Sequence, residues 1–280
     1  MRKIIITGGS GILAGYTSKQ FEKDNKIFPL DKSQLDVRDG KKVKDIFSAV
    51  KPDVVLHLAA LTNVDYCQKN PGEAFSVNAQ GTKNIAMACR ESGSLLIYIS
   101  TASVFNGEKN IFFEDDIPEP VHIYGESKLK GEQYIQDILS DFIILRIGWL
   151  IGGGRGGKKF ISYILEKIIN GEEIKVVDDK FGTISYALEV ADMIQKLLDQ
   201  KRKGIFHYGS LGVCSRLSIA KELKKLAGSS AKLIPAKSSD FKTEFSAPRP
   251  THEVIGSRFL TYPFTWQESL ANYYKRELEN

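Results

Sequence analysis

Cysteine, histidine and tryptophan are scarce in this chain, and long apolar runs are missing altogether. The three cysteines (Cys67, Cys89, Cys214) have no metal-ligand spacing and cannot all pair with one another. That excludes a disulfide framework and points to a reducing, cytoplasmic setting. His57, His122, His207 and His252 form no spaced cluster, so no metal site is expected. Apolar runs such as Phe142 to Leu145 fall far short of the ~20 residues a membrane span needs. Met1-Arg2-Lys3 leads straight into Ile4-Ile5-Ile6-Thr7-Gly8-Gly9, with no apolar segment of signal-peptide length. Charge of one sign is also lacking: 39 basic residues face 34 acidic ones, a net +5. This excess is too small and dispersed for a nucleic-acid footprint.

What is present is the composition of an ordinary globular protein. Of 280 residues, 42% are hydrophobic and 26% charged, enough for one large domain or two intimate ones. The charge is uneven. Residues 1–150 carry 18 basic and 19 acidic side chains, residues 151–280 carry 21 and 15. A basic second half suits a small anionic ligand.

Short apolar runs alternate with amphipathic stretches through the first 150 residues. Strands are expected at Lys3–Thr7, Lys26–Leu30, Asp53–Leu58, Leu95–Ser100 and Asp141–Ile147. Helices are expected at Gly11–Lys23, Lys41–Val50, Glu73–Glu91 and Tyr124–Leu139. This alternation predicts an α/β fold, a doubly wound parallel sheet of Rossmann type with right-handed crossovers. After Trp149 the rhythm loosens. A helix at Ala187–Gln200, a strand at Gly204–Tyr208 and helices at Arg216–Leu226 and Trp266–Glu277 are expected. Residues 228–262 read as irregular. The expected division is a dinucleotide-binding domain over 1–150 with 181–208, and a smaller substrate-binding region over 151–180 with 209–280.

Gly8-Gly9-Ser10-Gly11-Ile12-Leu13-Ala14 joins the first strand to the first helix with Gly-x-x-Gly-x-x-Ala spacing. Gly8 permits a tight turn, Gly11 lets the backbone approach a pyrophosphate, and Ala14 is small enough for close packing. Ser10 and Ile12 belong to the same loop. Asp31, just past the second strand, suits a ribose 2′-hydroxyl, whereas the adjacent Lys32 suits a 2′-phosphate. NAD and NADP therefore both stay open. Gly152 to Lys159 nearly matches a P-loop, but Lys159 stands where a magnesium-binding Ser or Thr is required. Arg155, Lys158 and Lys159 could instead hold a diphosphate.

Tyr124-Gly-Glu-Ser-Lys128 opens the helix after loop 106–123. Four residues apart, Tyr124 and Lys128 share a helix face. A nearby ammonium favours phenolate, so Lys128 is expected to lower the Tyr124 pKa. Thr101 adds a hydroxyl at a strand's carboxyl end, where doubly wound sheets bind ligands.

With these residues the sequence resembles the extended short-chain dehydrogenase/reductases, and within them the dTDP-4-dehydrorhamnose reductases. Further likeness lies in Leu35-Asp36-Val37, Pro52 to Ala60, Val77-Asn78-Ala79, Val104-Phe105, Leu145-Arg146, Trp149, Asp178 to Gly182 and Arg249-Pro250. The resemblance implies Thr101, Tyr124 and Lys128 as a catalytic triad, with Lys128 also holding the nicotinamide ribose. It implies Asp36 and Val37 around the adenine, and Leu58, Ala59 and Ala60 along the cofactor cleft, with Asn78 and Ile147 also on the cofactor. Trp149, Lys159 and Arg249 would serve the substrate. The implied activity is NAD(P)H-dependent reduction of a nucleotide-linked 4-keto-6-deoxy sugar, without nucleic-acid or membrane partners. A homodimer is a common assembly among similar proteins. The rival readings are a nucleotide-sugar epimerase with bound NAD and a non-catalytic cofactor-binding subunit. Ala102-Ser103 depart from the Asp-Tyr usual after the reductases' Thr, and they exclude the acid–base pair of 4,6-dehydratases.

Overall fold

The computed structural model describes residues 1–154, 160–241 and 246–279. A six-stranded parallel sheet forms its centre. The strands are β1 (Lys3–Thr7), β2 (Lys26–Leu30), β3 (Val54–His57), β4 (Leu95–Thr101), β5 (Phe142–Ile147) and β10 (Gly204–Tyr208), in the order β10-β5-β4-β3-β1-β2. Side chains alternate across this sheet, and both faces are apolar. Ile4 and Ile6 pack with Leu13, Ala14 and Phe21 of α1 (Ile12–Phe21) and with Val190, Ile194 and Leu197 of α8 (Ala187–Asp199). Ile5 faces the other way, toward Val43 and Phe47 of α2 (Gly40–Val50) and Ile85 of α5 (Gly81–Ser92). Each such side chain taken from water contributes roughly 1.5–3 kcal/mol. The sheet's chain order reverses between β1 and β3, which opens a crevice beyond their carboxyl ends.

The segment before α5 is more broken than its periodicity predicts. Short helices α3 (Val64–Lys69) and α4 (Pro71–Phe75) precede a π-helical turn at Ser76–Gln80. Asn70 ends α3, and Pro71 at the start of α4 has no N–H to lose there. Helix α6 (Ile123–Ile138) is capped by His122, whose side chain accepts the Gly125 N–H at 3.0 Å.

A second apolar cluster lies on the later residues. Here α7 (Phe160–Ile169), α9 (Arg216–Leu226) and α10 (Trp266–Tyr273) pack with β6 (Trp149–Ile151), β7 (Glu173–Val177), β9 (Ile184–Tyr186) and β11 (Cys214–Ser215). Strands β8 (Phe181–Gly182), β12 (Lys232–Ala236) and β13 (His252–Glu253) complete the small sheets. β12 corrects the irregular reading of 228–262: it pairs with β7 along five residues, a long-range pairing that local sequence does not signal. Residues of α1 and β9 reach the far end of the chain. Glu277 accepts hydrogen bonds from the hydroxyls of Tyr16 and Tyr186 and from the Gly153 and Gly154 N–H groups. Among the described residues, no helix is long and apolar enough to cross a membrane.

Candidate active site

A cleft of about 1100 Å³ opens at the carboxyl ends of the central strands. One end is built by the glycine loop. Gly8 has φ +68°, and a Cβ there would meet the Ala59 backbone N at 2.8 Å, so only glycine lets β1 turn against β3. Gly11, the N-cap of α1, offers no side-chain cap. The first N–H groups of α1 therefore face the cleft without intrahelical partners. Gly8, Ser10, Gly11, Ile12, Lys32, Asp36, Val37, Leu58, Ala59, Ala60 and Ile147 all line it.

Two expected cofactor residues lie elsewhere. Asp31 turns its carboxylate onto its own loop, accepting from Ser33 N at 2.8 Å, Ser33 Oγ at 2.6 Å and Gln34 N at 3.1 Å. These bonds, led by the Ser33 hydroxyl, hold its pKa below the ordinary value. Asp31 does not line the cleft, whereas Lys32 does. Asn78 sits one layer behind. Its side chain accepts from Leu61 N at 2.7 Å and donates to Leu61 O at 3.0 Å and to Ser127 Oγ at 2.9 Å. It fixes the β3 loop that lines the cleft rather than lining it. Asp36 is held by Arg38, whose Nε lies 2.9 Å and 3.0 Å from the two carboxylate oxygens, and the pair pulls Asp36 down to about 2.

Thr101, Tyr124 and Lys128 all line the cleft, brought there by β4 and α6, and the Thr101 side chain hydrogen-bonds Tyr124. Close approach of these elements depends on Gly125, where a Cβ would meet Ser103 O at 2.2 Å. Lys128 is 3% exposed. Its Nζ donates to Ile99 O at 2.8 Å and lies 3.9 Å from the centre of the Tyr98 ring. Burial pushes its pKa down to about 7, with Glu132 opposing. Burial pushes the Tyr124 phenol up, and the Thr101 side chain works in the other direction. Cys67 and Glu253 push the phenol up as well, so it stands above its ordinary value and not below it as its spacing to Lys128 predicts.

At the far end, Trp149 and Arg249 both line the cleft. Trp149 Nε1 donates to Glu253 at 2.9 Å. Arg249 pairs with Asp65 at 2.6 Å and donates to Ala247 O at 2.9 Å. Lys159, with Arg155 and Lys158, lies outside the described residues. Sequence reasoning missed Ser103, His122, Arg216 and Glu253, which also line the cleft. Two of these had a usable signal in their spacing: His122 lies two residues before Tyr124, and Glu253 lies four after Arg249. Arg216 belongs to no motif. Among the described residues, no group of three or more His, Cys, Asp or Glu is arranged to hold a metal.

The family model described as RmlD substrate binding domain matches residues 1–278. A dTDP-4-dehydrorhamnose reductase of Mycobacterium tuberculosis (strain ATCC 25618 / H37Rv) is 30% identical over 282 residues, spanning 96% of this chain and 91% of the relative. The Bacillus subtilis (strain 168) spore coat polysaccharide biosynthesis protein SpsK is 29% identical, spanning 98% and 97%. The crystal structure of dTDP-4-dehydrorhamnose reductase from Bacillus anthracis str. Ames in complex with NADP superposes with a TM-score of 0.93 at 30% identity, covering 98% of this chain and 99% of that one. The glycine-loop cleft and its Thr-Tyr-Lys centre thus sit in a chain that belongs to the RmlD substrate-binding-domain family.

Proposed function

We propose that this protein is an NADPH-dependent reductase of a nucleotide-linked 4-keto-6-deoxyhexose, of the dTDP-4-dehydrorhamnose class. The single observation that carries the reading is the sharing of one cleft by Thr101, Tyr124 and Lys128 with the glycine loop. Relatives and a solved structure named dTDP-4-dehydrorhamnose reductase support it.

The cleft fits a dinucleotide. The uncapped start of α1 suits a pyrophosphate, and the space at Gly8 and Gly11 admits its close approach. Lys32 on the cleft, with the Asp31 carboxylate turned away, favours NADP over NAD. Lys128 would hold the nicotinamide ribose. The hydride is supplied by the reduced nicotinamide when it is bound.

The remaining work falls to side chains. Burial keeps the Tyr124 hydroxyl protonated at neutral pH, the form needed to donate to a carbonyl oxygen that becomes an alkoxide. Thr101 Oγ1 accepts the Ser103 N–H at 3.1 Å and keeps its own proton to donate to a carbonyl oxygen bound beside Tyr124. Lys128 is pinned by Ile99 O and Tyr98 rather than free to swing. Trp149 and Arg249 would contact the sugar and its diphosphate. The same reading assigns residues 1–150 with 181–208 to the cofactor and 151–180 with 209–280 to the substrate. A cytoplasmic setting is supported by three buried, free thiols.

Consumption of NADPH with dTDP-4-dehydrorhamnose is the test. Steady turnover with added NADPH is expected. Turnover of a nucleotide sugar with no added cofactor would favour the epimerase instead, and no reaction in either assay would overturn the reductase reading.

A further inference from the structure

The wall around Trp149 carries polar groups that the reduction itself does not use. Arg216, the first residue of α9, holds its guanidinium 3.8 Å from the Trp149 ring centre and 4.8 Å from that of Phe160. Two aromatic rings confine the group, and no hydrogen bond or ion pair among the described residues consumes its donors. His122 is 2% exposed. Its Nδ1 accepts the Gly125 N–H, so the neutral ring carries its proton on Nε2. That Nε2 is buried and has no partner among the described residues. Glu253 is the acceptor between them. Ser103 Oγ donates to one of its carboxylate oxygens, and Trp149 Nε1 donates to the other at 2.9 Å. Each oxygen keeps a lone pair for a further donor.

Arg216, His122 and Glu253 all line the cleft that holds Thr101 and Tyr124. Their chemistry is mixed and balanced in charge: one cation, one carboxylate, one neutral donor. A substrate carboxylate would meet Glu253, and an ammonium would meet Arg216. A hydroxyl meets neither problem, because it donates and accepts at one atom. We propose that Glu253, His122 and Arg216 are specificity-determining residues that recognise a ring hydroxyl of the substrate's sugar, Glu253 accepting its proton and His122 or Arg216 donating to its oxygen. This rests on the reductase reading for the identity of the nucleotide sugar and deepens it by naming which side chains select the sugar.

Binding of the reduced product, dTDP-rhamnose, tests this without turnover. Calorimetry on the NADP complex would compare dTDP-rhamnose, dTDP and dTDP-glucuronate in the wild type, Glu253→Gln and His122→Asn. Asn keeps an acceptor for the Gly125 N–H and so preserves the α6 cap. The wild type is expected to prefer dTDP-rhamnose to dTDP, and each variant to lose about tenfold of that preference. Affinity for dTDP and NADPH should stay within about twofold in both, as expected when only sugar hydrogen bonds are lost. Glu253→Gln should also gain affinity for dTDP-glucuronate, a result that misfolding cannot imitate. The proposal is overturned if both variants keep the preference, if dTDP affinity falls as much as that of the sugar nucleotide, or if the wild type binds dTDP-glucuronate more tightly than dTDP-rhamnose. Selective binding of dTDP-rhamnose by a wild type that reduces no keto sugar would refute the reductase reading and leave the hydroxyl recognition standing.

Discussion

Two side chains with opposite responses to burial lie a helix turn apart on α6. Tyr124 is kept protonated and Lys128 is driven toward its neutral form. Tyr124→Phe removes the proposed proton donor and should lower kcat about 10²–10⁴-fold, the usual worth of a positioned acid, with NADPH affinity retained. Stopped-flow measurement of hydride transfer checks this. Lys128 also leaves a mark on stability. Between about 7 and its ordinary 10.5, the unfolded chain binds a proton at Lys128 that the folded protein lacks. Stability relative to Lys128→Met should therefore rise as pH increases through that window and be at its lowest below pH 7. Urea midpoints of the two proteins across the window are the measurement. A gap that stayed constant with pH would contradict the burial of a neutral amine.

Elements reach the cleft through contacts that short sequence windows cannot display. The glycine loop, the strands and the start of α6 were legible, because φ > 0, apolar period and Tyr-x-x-x-Lys spacing are all local. The true position of Asp31 was not, since nothing in Asp-Lys reveals that Ser33 and Gln34 close on the carboxylate. Nor was β12, whose partner β7 lies 59 residues away in register. The join of α6 to the sheet depends on a buried ion pair, also invisible locally. Arg146 on β5 donates to Glu132 on α6 at 2.6 Å, and Ser100 on β4 bonds the same carboxylate. Glu132→Gln should leave Arg146 uncompensated and cost about 3–5 kcal/mol in a denaturant titration. Gly125→Ala should push α6 away from β4. It is expected to reduce kcat/KM by about 10²-fold, the scale of an ångström misplacement, even where circular dichroism stays native.

For the molecule as a whole, the cleft asks for one long ligand pair spread from α1 to the Trp149 wall. Lys32, at the end where the reductase reading places the cofactor, gives the clearest global readout. NADPH should protect the protein against heat more than NADH at equal concentration, because the tighter ligand stabilises by mass action. Lys32→Ala should shrink that difference by about tenfold in Kd ratio, as loss of a charged hydrogen bond predicts. Equal protection by both cofactors in the wild type would place the 2′-phosphate away from Lys32. The apolar halves of the fold, and the placement of Thr101 and Tyr124 on the cleft, could be read early because a strand end and a helix start are signalled by residues close in sequence. The lining around Trp149 could not, because Ser103, His122, Arg216 and Glu253 arrive from four separate segments.

The Glu277 carboxylate fastens Tyr16 to a partner 261 residues later. On a ribosome, helix α1 is therefore made long before its fastening. Nascent chains stalled short of Glu277 should hold α1 loosely, and α1 should resist protease only once translation has passed that residue.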